Sequence, residues 1–196
     1  MTRKPRIIAG GVIYHFFNIS SNKIPIFNTN EDYECFKKNL LKTKERTGMR
    51  ILSYCIMPNH WHLLLYPVND GDLPLFMKLL TAQHSQKHHY RQGTLGTGHV
   101  YQDRYKSFVV DTQEYLLQLY KYIERNPLKA GLVNKADAWL WSSVRERITF
   151  VSTKLIENDS VIDLPRNYLE WLHATDSAFL KKIEGWEAIH PYLSGV

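Results

Sequence analysis

Cysteine is scarce in this 196-residue chain: only Cys35 and Cys55 occur, and they do not form a CxxC pair. That rules out a disulfide framework or a cysteine-built metal knuckle, and isolated cysteines of this kind behave as small core residues in a reducing compartment. No stretch reaches the roughly 18 uncharged apolar residues of a membrane span, and the opening MTRKPRIIAGG lacks the apolar centre of a signal peptide. The expected location is therefore the cytoplasm. Internal repeats, low-complexity tracts and a GxxxxGK[ST] nucleotide loop are all missing. With 44% hydrophobic and 13% aromatic residues, the chain can still bury a core without cross-links.

Acidic residues are the minority: 25 Lys and Arg stand against 19 Asp and Glu, for a formal charge of +6. An excess of this size favours a polyanionic partner without requiring one. The basic residues gather at Arg3-Lys4-Arg6, along Lys37 to Arg50, and again as Lys87, Arg91, Arg104 and Lys106.

The hydrophobic pattern predicts a strand over Gly11 to Phe17 after a Gly-Gly break, then a helix over Glu31 to Arg46 with Asn30 as cap and Gly48 as stop. Two apolar runs, Ile51 to Met57 and His60 to Tyr66, flank the Pro58-Asn59 turn. A second helix starts at Asp72 and continues toward Tyr90, and Tyr105 to Val110 is the last strand. Strand, helix, strand, strand, helix, strand is the ferredoxin-like (RRM-like) α+β pattern, an antiparallel sheet with helices on one face and the other face open to a ligand. A third helix, Thr112 to Asn126, is expected to use Asp111 and Glu114 as a capping box and to stop at Pro127. A further helix over Trp139 to Ile148 and short pieces at Tyr168 to Leu172 and Ala178 to Trp186 form a C-terminal helical extension, residues 134–196, packed on a main domain of residues 1–133.

Two groups of residues carry chemistry. In CIMPNHWHLLLYP, His60 and His62 leave one face of a strand with their bases about 6–7 Å apart, close enough to converge on one cation, while Trp61 points the other way. In YIERNP, Tyr122 and Asn126 stand four residues apart on one helical face, offset from the Leu116, Leu119, Tyr120 and Ile123 stripe. A phenol is a weak nucleophile until a metal or base assists loss of its proton, so a cation beside a phosphate would complement Tyr122. Arg104 and Lys106 alternate along the last predicted strand and are candidate phosphate contacts; Tyr101, Tyr105 and Phe108 are candidate stacking platforms. His84 and His88 also lie four apart, but no acidic or cysteine ligand accompanies them, and a solvated or DNA-facing helix end is the expected role.

These segments, together with GGVIYHFFN, GHVYQDRYKSF, YIERNPLKAGLV and the small Trp141-Ser142-Ser143 match, resemble the IS200/IS605-like tyrosine transposases and most closely the REP-associated tyrosine transposases, over about residues 10 to 143. The resemblance implies an HUH single-tyrosine DNA endonuclease in which His60, His62 and Asn126 hold Mg²⁺ or Mn²⁺. Tyr122 would attack a DNA phosphate, free a 3′-hydroxyl and become linked to the 5′-phosphate, which a second 3′-hydroxyl can then reclaim. The implied partner is single-stranded or hairpin DNA, with Arg3, Lys4 and Arg6 contributing to reading a single-stranded element beside the stem. Monomer and homodimer both occur among such proteins. Two other readings compete. One is a domesticated hairpin DNA- or RNA-binding protein that no longer cuts, against which all four residues are intact; the other is a zinc hydrolase, which would need a carboxylate base, and only Asp70 and Asp72 fall near.

Overall fold

The computed structural model describes residues 9–149, 155–156 and 162–174; Arg3, Lys4, Arg6 and the Ala178 to Trp186 segment lie outside the described residues. Four strands, β1 (Ile13–Ile19), β2 (Arg50–Met57), β3 (His60–Tyr66) and β4 (Lys106–Val110), form one antiparallel sheet in the order β2-β3-β1-β4. Helices α1 (Asn30–Thr47) and α2 (Asp72–Gln92) connect the strands, and α3 (Gln113–Lys129), α4 (Ser143–Thr149) and α5 (Tyr168–His173) follow. This is the α+β ferredoxin-like arrangement expected from the strand and helix order. No described helix is long and apolar enough to cross a membrane.

Period-2 alternation sorts the strand residues into two cores. Phe16, Trp61, Leu63, Leu65, Tyr54 and Ile56 face α1 and α2, whose Phe36, Leu40, Phe76 and Leu80 complete one cluster. Phe17, Leu64 and Leu52 face the opposite way and meet Leu116, Leu119, Tyr120 and Ile123 of α3. The face opposite α1 and α2 is thus open only in part, because the apolar stripe of α3 has to be buried somewhere and that face is where it goes. A register shift between Ile51 and Ser53 in β2 puts neighbouring residues Leu52 and Ser53 toward α3. The outer edge of β2 is capped by the Trp139 to Ser142 segment: Ile56 N–H donates to the Trp141 carbonyl at 2.9 Å, and the Trp139 indole donates to the Ile56 carbonyl at 3.0 Å. That pairing is why α4 begins at Ser143 and not at Trp139.

Several caps differ from expectation. Thr29, not Asn30, caps α1, in a reciprocal box with Asp32. Gly71 precedes α2 in a left-handed conformation, φ 87°. Thr112 caps α3 through a 3.1 Å bond from Tyr115 N–H, in place of the Asp111 box. Gly10 has a different constraint: a Cβ there would lie 2.5 Å from the Val68 carbonyl oxygen, so the Gly-Gly break lets β1 start against the loop before α2.

Helix α3 does not stop at Pro127 but runs on to Lys129. Proline has no N–H for the Ile123 carbonyl one turn back. The Asn126 amide compensates, with Nδ2 donating to the Tyr122 carbonyl at 2.8 Å and reaching the Ile123 carbonyl at 3.5 Å.

His84 is buried, which corrects the expectation of a solvated helix end. Phe27 and Phe36 surround its ring, and the Tyr101 hydroxyl, which accepts from the Trp61 indole at 2.9 Å, lies 2.6 Å from His84 Nδ1. Tyr101 is therefore a link in a buried hydrogen-bond chain, 9% exposed. Burial holds the His84 pKa down at about 3. An unfolded histidine takes up its proton near 6.5, so the unfolded state binds more protons between those values and stability falls as pH drops through that window. We expect a loss of about 1.4 kcal/mol per pH unit from this residue alone. His84→Gln, which keeps an acceptor for Tyr101, should flatten the slope of urea-unfolding free energy against pH by about one proton; an unchanged slope would show that His84 is protonated in the folded state.

Candidate active site

The site lies where β3, β1 and α3 meet. β2 and β3 are joined by Pro58-Asn59, and the turn is held from outside: the Pro58 carbonyl accepts from Ile26 N–H at 2.8 Å and the Asn59 carbonyl from Ser20 N–H at 2.8 Å. His60 follows at once. The Asn59 Nδ2 donates to the Lys23 carbonyl at 3.1 Å, which fixes the amide so that Oδ1 faces His60 Nδ1 at 2.6 Å. An amide oxygen only accepts, so His60 carries its proton on Nδ1 and presents a bare Nε2.

His62 lies two residues on, its ring 5.1 Å from that of His60 and perpendicular to it. His62 is fully buried, and its Nε2 has no hydrogen-bond partner. Burial, with the neighbouring imidazoles as lesser causes, pushes the His62 pKa well below the usual value, and burial holds His60 down at about 4. Both are neutral imidazoles at physiological pH, the form that coordinates metals.

Tyr122 meets His62 edge-on at 5.5 Å between ring centroids, so the structure brings the two sequence motifs together. Asn126 sits one turn further along α3. Because its Nδ2 is committed to the helix carbonyls, Oδ1 is the atom left to act as a donor. Two imidazoles and one amide oxygen are a donor set that Mn²⁺ accepts readily and Mg²⁺ tolerates when phosphate oxygens complete its shell. Among the described residues no group of three His, Cys, Asp or Glu side chains is placed to hold a metal ion, which leaves the Asn126 amide oxygen as the candidate third donor beside the two imidazoles. Tyr122 and Asn126 are only 4% and 5% exposed. The polar pair is tucked against the sheet and does not face solvent.

His15 of β1 went unremarked in the sequence, where it is one more residue of an aromatic strand. Its Nε2 is 3.0 Å from His62 Nδ1, and its ring is 6.1 Å from that of Tyr122. Phe108 packs beside it on the same face.

Lys106 lies opposite Phe17, which lies opposite His62, so the three form a cross-strand row on the α3 face. Arg104 does not share that strand, contrary to expectation. It is exposed in the bend before β4, where the Asp103 carboxylate accepts its backbone N–H at 2.7 Å and also pairs with Lys106 at 3.5 Å. Phe17, Asn18, Ile19, Arg104 and Lys106 line a cavity of about 200 Å³, which shares Asn18 and Arg104 with a groove of about 960 Å³ running along α2 past Lys78, Thr81, Ser85 and His89. Two other members of the basic clusters are paired within the protein, Lys37 with Glu146 and Arg91 with Asp32. Asp70 and Asp72 bond backbone N–H groups of Gly10 and Asn69 beyond the far end of β3, which leaves a hydrolytic reading without its carboxylate base.

The family model for IS200-like transposases matches residues 9–126, more than half of the chain. The chain belongs to the IS200-like transposase family. It is 26% identical over 152 residues to a protein of Haemophilus influenzae provisionally named a REP-associated tyrosine transposase, covering 73% of this chain and 85% of that one. A solved REP-associated tyrosine transposase, bound to a REP hairpin, superposes with a TM-score of 0.62 at 19% identity over 86% of this chain and 96% of that one, a likeness of fold. This transposase therefore sits among DNA-processing enzymes, and the matched region holds the whole sheet and most of α3.

Proposed function

We propose that this transposase is a divalent-metal-dependent endonuclease and strand transferase that acts on single-stranded DNA beside a hairpin, with Tyr122 as its nucleophile. The observation that carries the reading is the meeting of His60, His62 and Tyr122 at the β3–α3 contact, with Asn126 one turn away. His60, His62 and Asn126 would hold Mg²⁺ or Mn²⁺. When bound, the cation would polarise the scissile phosphate and offset the charge that develops on it.

In the first step the Tyr122 phenol gives up its proton and its oxygen bonds to phosphorus as the bond from phosphorus to the 3′-oxygen breaks. The departing oxygen leaves as a 3′-hydroxyl, and the 5′-phosphate stays on the tyrosine. A second 3′-hydroxyl reverses these steps and releases the phenol. One phosphoester bond is exchanged for another each time, so rejoining needs no nucleotide. The cavity beside Phe17, rimmed by Arg104 and Lys106, supports an entry route for the strand, and the groove along α2 continues it. Arg104→Ala is expected to weaken hairpin binding evenly across sequences and to lower the salt dependence of log K by about one phosphate contact; a change confined to one sequence would make Arg104 a base reader.

The burial of Tyr122 and Asn126 favours a second reading, a hairpin-binding protein that no longer cleaves, because a phosphate reaches these atoms only where α3 and the sheet part. Hairpin oligonucleotides labelled at either end, incubated with Mn²⁺, Mg²⁺ or chelator, separate the two readings on a denaturing gel. A metal-dependent adduct carrying only the label 3′ of the cut supports the transferase. Tight binding with no adduct across a sequence panel leaves the binding protein.

A further inference from the structure

Both histidines of the HxH pair have Nδ1 tied to a neighbour, but the neighbours differ. His60 Nδ1 meets an amide oxygen, which can only accept. His62 Nδ1 meets another imidazole, His15 Nε2, at 3.0 Å. The His15 and His62 rings are inclined by 18°, and their centroids are 5.2 Å apart. That separation exceeds the N···N distance by about two ring radii, so the nitrogens face each other along the line of centres. Contact of this kind is an in-plane hydrogen bond and not face-to-face stacking.

One proton lies between the two nitrogens. If His15 supplies it, His62 must carry its own proton on Nε2, a buried N–H with no acceptor. If His62 supplies it, Nε2 is a bare lone pair and His15 carries its own proton on Nδ1, so either arrangement leaves one buried ring N–H outside the pair. His60 separates the two, because its Nε2 is left bare by Asn59 and a second bare Nε2 beside it makes the pair a two-donor site. We infer that His15 is a positioning residue that accepts the Nδ1 proton of His62 and so turns the Nε2 lone pair of His62 toward the same space as that of His60. Outer-shell partners of metal-bound histidines set tautomer and ring orientation in this way, and their loss typically costs about 10–100-fold in metal affinity. The register fixes the contact: His15 lies opposite Leu64, the next residue after His62 on the same face of β3.

The inference rests on the metal reading of the site, but its first test does not need the metal. In metal-free protein with ¹⁵N-labelled histidine, long-range ¹⁵N–¹H correlation, with His62 assigned through His62→Gln, is expected to show a protonated Nδ1 and an unprotonated Nε2. The Mn²⁺ dissociation constant of the folded protein should rise about 10–100-fold in His15→Phe and return most of the way to the starting value in His15→Gln, whose amide oxygen can accept. A protonated Nε2 in the unsubstituted protein overturns the inference, and so does a folded His15→Phe protein that binds Mn²⁺ as tightly as the unsubstituted one. Lack of any His62-dependent Mn²⁺ uptake in the unsubstituted protein, with the tautomer as expected, would instead remove the metal reading and leave the His15 contact standing.

Discussion

Glu124→Ala is expected to destabilise the protein by about 3–5 kcal/mol, roughly a 10 °C fall in melting temperature for a chain of this length. Glu124 sits on α3 between the two site residues and is fully buried. Its Oε1 accepts from Ser143 Oγ at 2.6 Å, Ser53 Oγ at 3.1 Å and Arg147 Nε at 3.3 Å, while the Tyr168 hydroxyl donates to Oε2. One carboxylate thus joins α3 to β2, α4 and α5. Burial is the largest single influence and acts to lower the Arg147 pKa, but Glu124, with Tyr168 and Tyr120 as lesser causes, more than offsets it and the guanidinium is held above its ordinary value. Removing Glu124 alone leaves that cation buried and unbalanced, the costly half of breaking an ion pair. The double variant Glu124→Ala, Arg147→Met should therefore cost less than Glu124→Ala alone in urea unfolding. Equal or larger loss in the double variant would show that the pair's charges do not compensate each other.

The same network explains why part of the molecule was legible in the sequence and part was not. Strands and helices follow from local alternation and period, and β3, α1 and α2 begin within about a residue of where the apolar pattern places them. The HxH pair and the Tyr122–Asn126 pair were readable because each lies on one element at that element's own period. Contacts set by register between distant segments carry no such signal. His15 is buried among aromatic residues of β1, and only the β1–β3 pairing puts it beside His62; the clue was its place on the same alternation as Phe17. Glu124 reads as an ordinary charged helix residue until Ser143, Arg147 and Tyr168 arrive from elsewhere in the chain. His84 looked like a surface histidine because the rings that enclose it, Phe27 and Phe36, are contributed by other segments. Helix caps failed by single residues, since Thr29 and Asn30, or Asp111 and Thr112, are equally good capping chemistry and tertiary contacts choose between them.

Tyr122→Phe is expected to abolish the covalent DNA adduct and reduce cleavage by a factor on the order of 10⁴ or more. Hairpin affinity should stay within about twofold, because the ring that covers His62 is kept and one small buried oxygen is lost. His62→Ala should lower cleavage to a similar floor by a different route, since it takes away one of the three donors argued to hold the cation. If tyrosine and metal serve one and the same step, the double variant should be hardly worse than either single one, far short of the product of the two losses. Labelled-hairpin cleavage rates for the four proteins, measured at saturating Mn²⁺, make that comparison. Losses that multiply would mean that Tyr122 and His62 act in separate steps, and a Tyr122→Phe protein that retains a tenth of the rate would move the nucleophile to water or to another residue.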